Sequence, residues 1–400
     1  MLLKLHGRHL RALSRWRSPE PFLARVCTNL DLPEAARGRE VLLVERSDGG
    51  LPGGFRGYLA RAAVEAGDLG DVYMLGSEFD YLAHGDVVRI DPPHGSMTVL
   101  YRRSSAFNSL LVTERCDNYC VMCSQPPKPR DDGWLVDELW DAIPMMSPET
   151  PEIGITGGEP GLLGPRLIAL LDRLRRFLPN TAVHVLSNGR AFADDKFAAA
   201  LADVAHPDLM LGIPVYGDLP EVHDYVVQAR GAFDQTIRGI LNLKRRRVRV
   251  ELRFVIHRDT AKGLPDFARF VARNLLFADH VALMGLELMG FARANLEAIW
   301  VDPLDYQREL AEAVEILDRA RVPVSIYNHQ LCVLAPGLHR FARRSISDWK
   351  NRYFEECEGC TIKGQCGGFF ASSEVRRSRG IAPVGAERAP QLTDVANLGE

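Results

Sequence analysis

The cysteines constrain this chain more than any other feature. Of eight, three lie within eight residues as Cys116-x3-Cys120-x2-Cys123, and three lie within ten as Cys357-x2-Cys360-x5-Cys366, with Cys332 upstream as a fourth member. Thiols buried singly show no such spacing, and in a reducing compartment they are not expected to pair as disulfides, so the groups read as metal ligands or nucleophiles. One group supplies three ligands and the other four. Cys27 stands alone and reads as a small apolar core residue.

The compartment is inferred from the rest of the chain. No run of eighteen apolar residues occurs, and Lys4, Arg8 and Arg11 interrupt the N-terminus before a signal-type apolar segment forms, so the expectation is a cytoplasmic protein with no membrane contact. A net charge of −3 argues against a nucleic-acid partner held by the global field, although the first 25 residues carry six Lys/Arg against one Glu. Hydrophobic residues at 46% and charged residues at 25% exclude disorder as the dominant state, and 400 residues suit two to three domains.

Residues 1–105 carry short β-rich runs closed by Gly, Pro and Asp, and read as a small N-terminal β-rich domain. From Ser109 the pattern changes to apolar strands alternating with helical stretches, which signals βα units around a parallel sheet. The expected strands are Ser109–Thr113, Glu152–Thr156, Thr181–Leu186, Leu209–Val215, Val248–Ile256 and Val281–Leu288, with helices such as Pro165–Phe177 and Pro303–Ala320 between them. The fold class is thus α/β, a partial (β/α)6 TIM-like barrel over residues 106–325. Residues 326–374 form the cysteine-rich segment, and 375–400, rich in Ala, Pro, Gly and charge, read as a flexible tail.

Three thiolates from one loop hold three irons of a [4Fe–4S] cube and leave the fourth iron open. Zinc would need a fourth protein ligand or His partners, and ERCDNYCVMCSQ (114–125) contains no His. The spacing, directly after a first strand, resembles the radical S-adenosylmethionine (SAM) superfamily. Two further motifs at strand ends match it: Gly157-Gly158-Glu159-Pro160, and Ser187-Asn188 followed by Gly189. The resemblance implies that the first motif receives the SAM methionine group, and the second its ribose or carboxylate. Met122 stands where many members carry an aromatic residue, leaving its backbone as the adenine contact. The implied chemistry is reductive cleavage of SAM to a 5′-deoxyadenosyl radical that abstracts a substrate hydrogen.

In the fifth strand Val248, Val250, Leu252, Phe254 and Ile256 alternate with Arg249, Glu251, Arg253 and His257, so the odd positions face the barrel interior. Arg253 is a substrate-side candidate, or the partner of Glu287 in an ion pair that closes the wall. Tyr216, at the end of the fourth strand, either packs or contacts substrate. No acid/base pair is evident.

The second cysteine group resembles the extension of peptide-modifying radical SAM enzymes, of SPASM or shorter twitch type. It implies one auxiliary [4Fe–4S] cluster on Cys332, Cys357, Cys360 and Cys366, and thus two clusters in all. Four thiolates also suit a zinc knuckle. Phe370 stands where the longer pattern has another cysteine. Asn108–Lys128, Leu283–Asn295, Ser325–Cys332, Ser345–Lys350 and Cys357–Ser372 resemble a subgroup, the C-type radical SAM maturases of the His-Xaa-Ser repeat peptide system. This implies a ribosomally made peptide substrate with a leader, a second radical SAM maturase as partner, and an electron donor such as flavodoxin or ferredoxin. The basic N-terminal stretch is a candidate hold for an acidic leader. Two alternatives stand: a radical SAM enzyme acting on a small molecule or activating another enzyme, and a non-catalytic metal-binding scaffold.

Overall fold

The computed structural model describes residues 5–8, 10–14, 18–45, 50–344 and 352–385. Most of the basic N-terminal stretch is described, but Lys4, Arg15 and Arg17 lie outside, as do Ser345–Lys350 and residues 386–400.

Two sheets organise the chain. The first contains β1 (His6–Gly7), β2 (Arg11–Ala12), β3 (Phe22–Cys27), β4 (Glu40–Val44), β5 (Gly57–Ala60), β6 (Val72–Met74), β7 (Val87–Asp91) and β8 (Ser96–Tyr101), in the order β1-β8-β7-β3-β4-β5-β6-β2. β1 and β2 sit at opposite edges, yet only residues 8–10 separate them in sequence, about 14 Å of extended chain at most. Eight flat strands would span about 34 Å. The sheet therefore curls until its edges approach, around a core that includes Leu10, Val26, Val41, Leu59, Phe79 and Met97. Cys27 is buried in a satellite cluster with Leu42, Tyr58 and Val72, as its isolation implied.

The second sheet is wholly parallel. Its strands are β9 (Phe107–Thr113), β10 (Glu152–Gly157), β11 (Ala182–Leu186), β12 (Leu209–Pro214), β13 (Arg249–Ile256), β14 (His280–Gly285) and β15 (Val324–Tyr327), each paired to the next in chain order. The helices connecting them are α1 (Trp134–Ala142), α2 (Pro165–Phe177), α3 (Asp195–Asp203), α4 (Pro220–Val227), α5 (Ala232–Arg245), α6 (Arg258–Ala261), α7 (Leu264–Asn274), α8 (Gly290–Ala294), α9 (Leu296–Ile299) and α10 (Gln307–Arg319). This is the expected α/β partial barrel, and the six expected strands are found within one or two residues except at the end of β14. A seventh was not expected: β15 extends the sheet across the boundary placed at residue 325.

Alternation within the strands sets the two faces. Ile153 and Ile155, Val183 and Val185, Val250, Leu252 and Phe254, and Val281 and Leu283 pack on the helices in one continuous core. In α2, Pro165 opens the first turn, and Leu167, Leu170, Leu171 and Leu174 recur at helical spacing to face that core. The expected helix over 303–320 is α10 preceded by a 3-10 turn, Pro303–Tyr306, whose Leu304 N–H is capped by Asp302. No helix among the described residues is long and apolar enough to cross a membrane.

The expected tail is corrected in its first part. Ser378 and Val384 are buried; Ser378 Oγ donates to Asp302 Oδ1 (2.6 Å), the Arg379 N–H to Asp302 Oδ2 (3.0 Å), and both the N–H and the hydroxyl of Thr361 to Val384 C=O (3.0 and 2.8 Å). The acidic helix start at Asp302 captures this segment, which its composition does not announce.

Candidate active site at the open edge of the barrel

The three-cysteine loop follows β9 at the C-terminal edge of the sheet. Its base is fixed by Asp132, fully buried, which accepts from Thr113 Oγ1 (3.0 Å) and the Glu114 N–H (2.5 Å). Farther along, Tyr119 and Val121 N–H groups donate to Val227 and Val226 C=O at the end of α4 (3.0 and 2.9 Å). The far side rests on α8: Phe291 N–H donates to Cys123 C=O (2.8 Å), and Asn295 Nδ2 to Val121 C=O (2.8 Å). Gly290 adopts φ +53°, and a Cβ there would meet the Cys123 oxygen at 2.5 Å.

The turn after β10 packs directly on this loop. A Cβ at Gly157 would lie 2.2 Å from the Thr113 oxygen, and one at Gly158 would lie 2.1 Å from the Arg115 oxygen and 3.1 Å from Cys116 Cβ. Both glycines are therefore needed to seat the turn against the cysteine loop. Glu159 is fully buried and its carboxylate is occupied within the protein: Ser187 Oγ donates at 2.7 Å, the Asn188 N–H at 2.5 Å and the Gly161 N–H at 2.7 Å. Burial nonetheless pushes Glu159 up to about 7. Pro160 begins the 3-10 turn that follows. Gly157-Gly158-Glu159-Pro160 and Ser187-Asn188 thus form one brace between neighbouring strand ends.

That brace reaches the cysteine loop through three residues absent from the sequence-based expectations, Asp117, Asn118 and Arg190. Asn188 Nδ2 donates to Asp117 Oδ1 (2.6 Å), and Arg190 Nη1 to Asp117 C=O (2.9 Å) and Asn118 Oδ1 (2.6 Å). The signal lay in Arg190 immediately following Ser187-Asn188-Gly189. Met122, on the loop itself, and Tyr216 are both buried in an apolar cluster with Val226, Val227 and Ile299, against which Cys120 and Val121 pack. Tyr216 stacks on His223 at 5.8 Å, and burial raises it far above the usual phenol range.

Burial raises all three thiols, Cys116 up to about 12, and for Cys120 its neighbours Cys123 and Cys116 add to the shift. Cys123 Sγ donates to Gln125 C=O (3.0 Å), and Cys116 Sγ accepts from the Asn118 N–H (3.4 Å). Among the described residues no three His, Cys, Asp or Glu side chains converge on the position of one metal ion. A [4Fe–4S] cube takes at most one thiolate on each iron, so a set of three thiols in a loop pinned at four points fits three of its irons.

The second cysteine group gathers beyond β15. Burial raises Cys332, and Cys366 and Cys357 add to it; Cys366 is raised by burial and then by Cys357 and Cys360. Cys366 is thus the member whose surroundings include both Cys357 and Cys360, and Cys332 feels Cys366 and Cys357. Gly368 N–H donates to Cys366 Sγ (3.4 Å), Tyr353 O–H to Cys366 C=O (2.8 Å), and the Ala382 N–H to the Cys332 sulfur.

Below the rim, the inward positions are more polar than the motifs suggested. Arg253 Nη1 pairs with Glu251 Oε1 (2.9 Å) and Nη2 approaches Met284 Sδ (3.2 Å). Glu287 lies beyond β14, which ends at Gly285, rather than on the strand. Gly212 provides the clearance: a Cβ there would meet His184 Nε2 at 2.8 Å and Arg253 Cδ at 3.0 Å. Side chains of His184, Arg253 and His280 remain 17–19% exposed within the barrel, so water reaches its interior.

Residues 110–271 match the protein-family model described as the radical SAM superfamily. Over 165 residues the chain is 27% identical to Fe-coproporphyrin III synthase of Methanosarcina barkeri, covering 38% of each protein. Among solved structures it is similar to Streptococcus suis SuiB bound to S-adenosylmethionine, with a TM-score of 0.44 and 13% identity over 56% of this chain and 51% of that one. It is also similar to anSMEcpe with bound AdoMet and the Cp18Cys peptide, with a TM-score of 0.42 and 18% identity over 54% and 62%. The chain therefore spans about half the length of SuiB and less than two fifths of the synthase.

Proposed function

We propose, on the premise that residues 110–271 form a radical SAM domain, that this chain is a radical SAM enzyme that matures a ribosomally made peptide. The observation that carries the proposal is the three-thiol loop at the C-terminal edge of the parallel sheet, clamped by Gly157–Glu159 and by Ser187, Asn188 and Arg190. When bound, a [4Fe–4S] cube and SAM supply a carbon radical that takes a hydrogen atom from the substrate. Cys116, Cys120 and Cys123 hold that cube, and the turns after β10 and β11 wall the SAM position. Tyr216 packs with Met122 of the loop in an apolar cluster that excludes water from its inner side. Arg253, with Glu287 near the rim, orients the substrate from the polar interior.

Cys332, Cys357, Cys360 and Cys366 hold a second, fully protein-ligated cluster suited to electron transfer. The substrate is a peptide with His-Xaa-Ser repeats and a leader, the partner is a second radical SAM maturase, and the electron donor is of flavodoxin or ferredoxin type. The work is cytoplasmic. Anaerobic reconstitution should give about eight irons per chain, two cubes of four, and release 5′-deoxyadenosine with SAM and dithionite. Cys123→Ala should abolish that release; full cleavage by the variant refutes the assignment. Zinc with only traces of iron refutes both clusters. A mass change in a co-expressed His-Xaa-Ser peptide tests the substrate.

A further inference from the structure

The barrel interior contains a hydrogen-bonded chain that the machinery at the rim does not use. Val250 and Leu252, Val281 and Leu283, and Val324 and Ile326 face the helices, so Glu251, His280, Ser325 and Tyr327 point inward. Glu251 Oε2 lies 2.8 Å from His280 Nδ1, and His280 Nε2 lies 2.9 Å from Ser325 Oγ. Ser325 and Tyr327 share the inward face two residues apart, close enough for the hydroxyl to bear on the phenol's ionisation, and the Tyr327 ring stands edge-on to His280 at 6.4 Å.

Charge fixes the direction of this chain. Burial opposes ionisation of Glu251, but His280, Arg253 and His184 outweigh it and hold the carboxyl down at about 2. An ionised carboxylate only accepts, so the proton between them sits on His280 Nδ1, and in the tautomer with that single ring proton Nε2 accepts from Ser325. Burial, and then Glu251, raise Tyr327 and keep it a neutral phenol. A neutral phenol takes up a proton only by releasing its own, and a serine hydroxyl can pass that proton on. The other charged groups around the chain are Arg253, bound to Glu251 Oε1, His184, with Nε2 3.6 Å from the same oxygen, Glu152 at the start of β10, and Arg343 near Tyr327.

Position supplies the purpose. Tyr327 ends β15 on the side of the cysteine loop, whereas His280 opens β14 and Glu251 is the third residue of β13, toward the other end of the barrel. Water reaches His184, Arg253 and His280 at that other end, while a site that shelters a radical excludes it from the substrate, so a proton leaving the substrate needs an internal route to the wet end. We propose that Tyr327 accepts a proton from an N–H or O–H group of the bound peptide, and that Ser325 and His280 relay it to the Glu251 end. The substrate's N–H or O–H bond breaks as a bond to Tyr327 oxygen forms. The Tyr327 proton moves to Ser325 and the Ser325 proton to His280 Nε2, leaving an imidazolium against the Glu251 carboxylate; no electron moves. Tyr327 is the residue that touches substrate, and the other three position and drain it.

This proposal rests on the radical SAM peptide reading, and its test separates the two. In the reconstituted full chain, Ser325→Ala and Tyr327→Phe should leave 5′-deoxyadenosine release without peptide at wild-type rate. Modification of a synthetic His-Xaa-Ser repeat peptide per deoxyadenosine should fall by about a hundredfold, with Ser325→Thr restoring it. Yield within twofold of wild type in both Ser325→Ala and Tyr327→Phe overturns the relay. Nitrogen NMR of 15N-histidine protein, assigned by His280→Gln, gives the arm that needs no substrate. A neutral His280 protonated at Nδ1 at pH 8 is expected, and a proton on Nε2 overturns the relay, because that nitrogen could then accept nothing. Wild-type protein that releases no 5′-deoxyadenosine sinks the radical SAM reading, and the NMR arm still decides the relay.

Discussion

Gly158→Ala perturbs the first cysteine site without touching a ligand. The added Cβ would stand 2.1 Å from the Arg115 carbonyl oxygen, where ordinary contact begins near 3.4 Å, so the β10 turn and the cysteine loop must part by roughly 1 Å. No rotamer relieves a clash with backbone. The same carbonyl accepts the Glu159 N–H at 2.8 Å, and Gly158 N–H donates to Thr113 C=O at 2.9 Å, so both bonds stretch. Each is worth about 1 kcal/mol, and overpacking adds about 1–3 kcal/mol, giving a loss of about 3–5 kcal/mol. For a barrel of about 200 residues, that lowers its melting midpoint by roughly 6–20 °C. Because the loop carries Cys116, iron retention should fall toward that of the second site alone. Calorimetry and iron analysis of the anaerobic protein provide the measurement. Gly38→Ala, where a Cβ meets nothing within 4 Å, serves as control and should stay within about 0.5 kcal/mol. A Gly158→Ala protein that melts with wild type and holds the same iron would show that the glycine does not seat the loop.

Acid should weaken the barrel from within. His184 is pushed down to about 4 by burial, so its contribution is complete above the ordinary 6.5 and fades as pH falls from 6.5 toward 4. Glu251 is held at about 2, and its contribution fades as pH falls from 4.5 toward 2. Urea midpoints across pH 8 to 4 should therefore decline, and His184→Asn should flatten the upper part of that decline; an unchanged profile in the variant contradicts the assignment. Arg190→Ala removes the bonds to Asp117 and Asn118 and should cost about 2–3 kcal/mol, with faster iron loss under chelator challenge; equal loss rates would refute the brace. Ending the chain at residue 374 strips Asp302 and Thr361 of their partners and should cost about 2–5 kcal/mol. Iron at the second site should fall with it, and iron content equal to that of the full chain would count against that anchoring.

The parts legible beforehand were those with a strong periodicity or a fixed spacing. The two faces of β13 showed in strict alternation, and the cysteine groups showed in their intervals. β15 escaped because Val324–Tyr327 is four residues long with Ser325 in its middle, too short for alternation to stand out beside an irregular segment. The tail misled through composition: Ser378 and Val384 are held by acceptors and donors on Asp302 and Thr361, contacts that no local pattern encodes. Glu159 matched a motif whose implied role was contact with SAM; that its oxygens also accept from Ser187, Asn188 and Gly161 is a fact of the neighbouring strand end that no motif announces. The Glu251–His280–Ser325 chain joins three strands through residues 45 and 29 positions apart, a distance at which sequence offers no pairing signal.

The N-terminal sheet works as a hoop fastened by two short strands close together in sequence. His6–Gly7 grips β8 and Arg11–Ala12 grips β6, so these two pairs guard two strand borders that would otherwise present open N–H and C=O rows. Loss of these pairs would unfasten both borders together, turning one chain into a monomer with two adhesive seams able to zip onto like chains from either side.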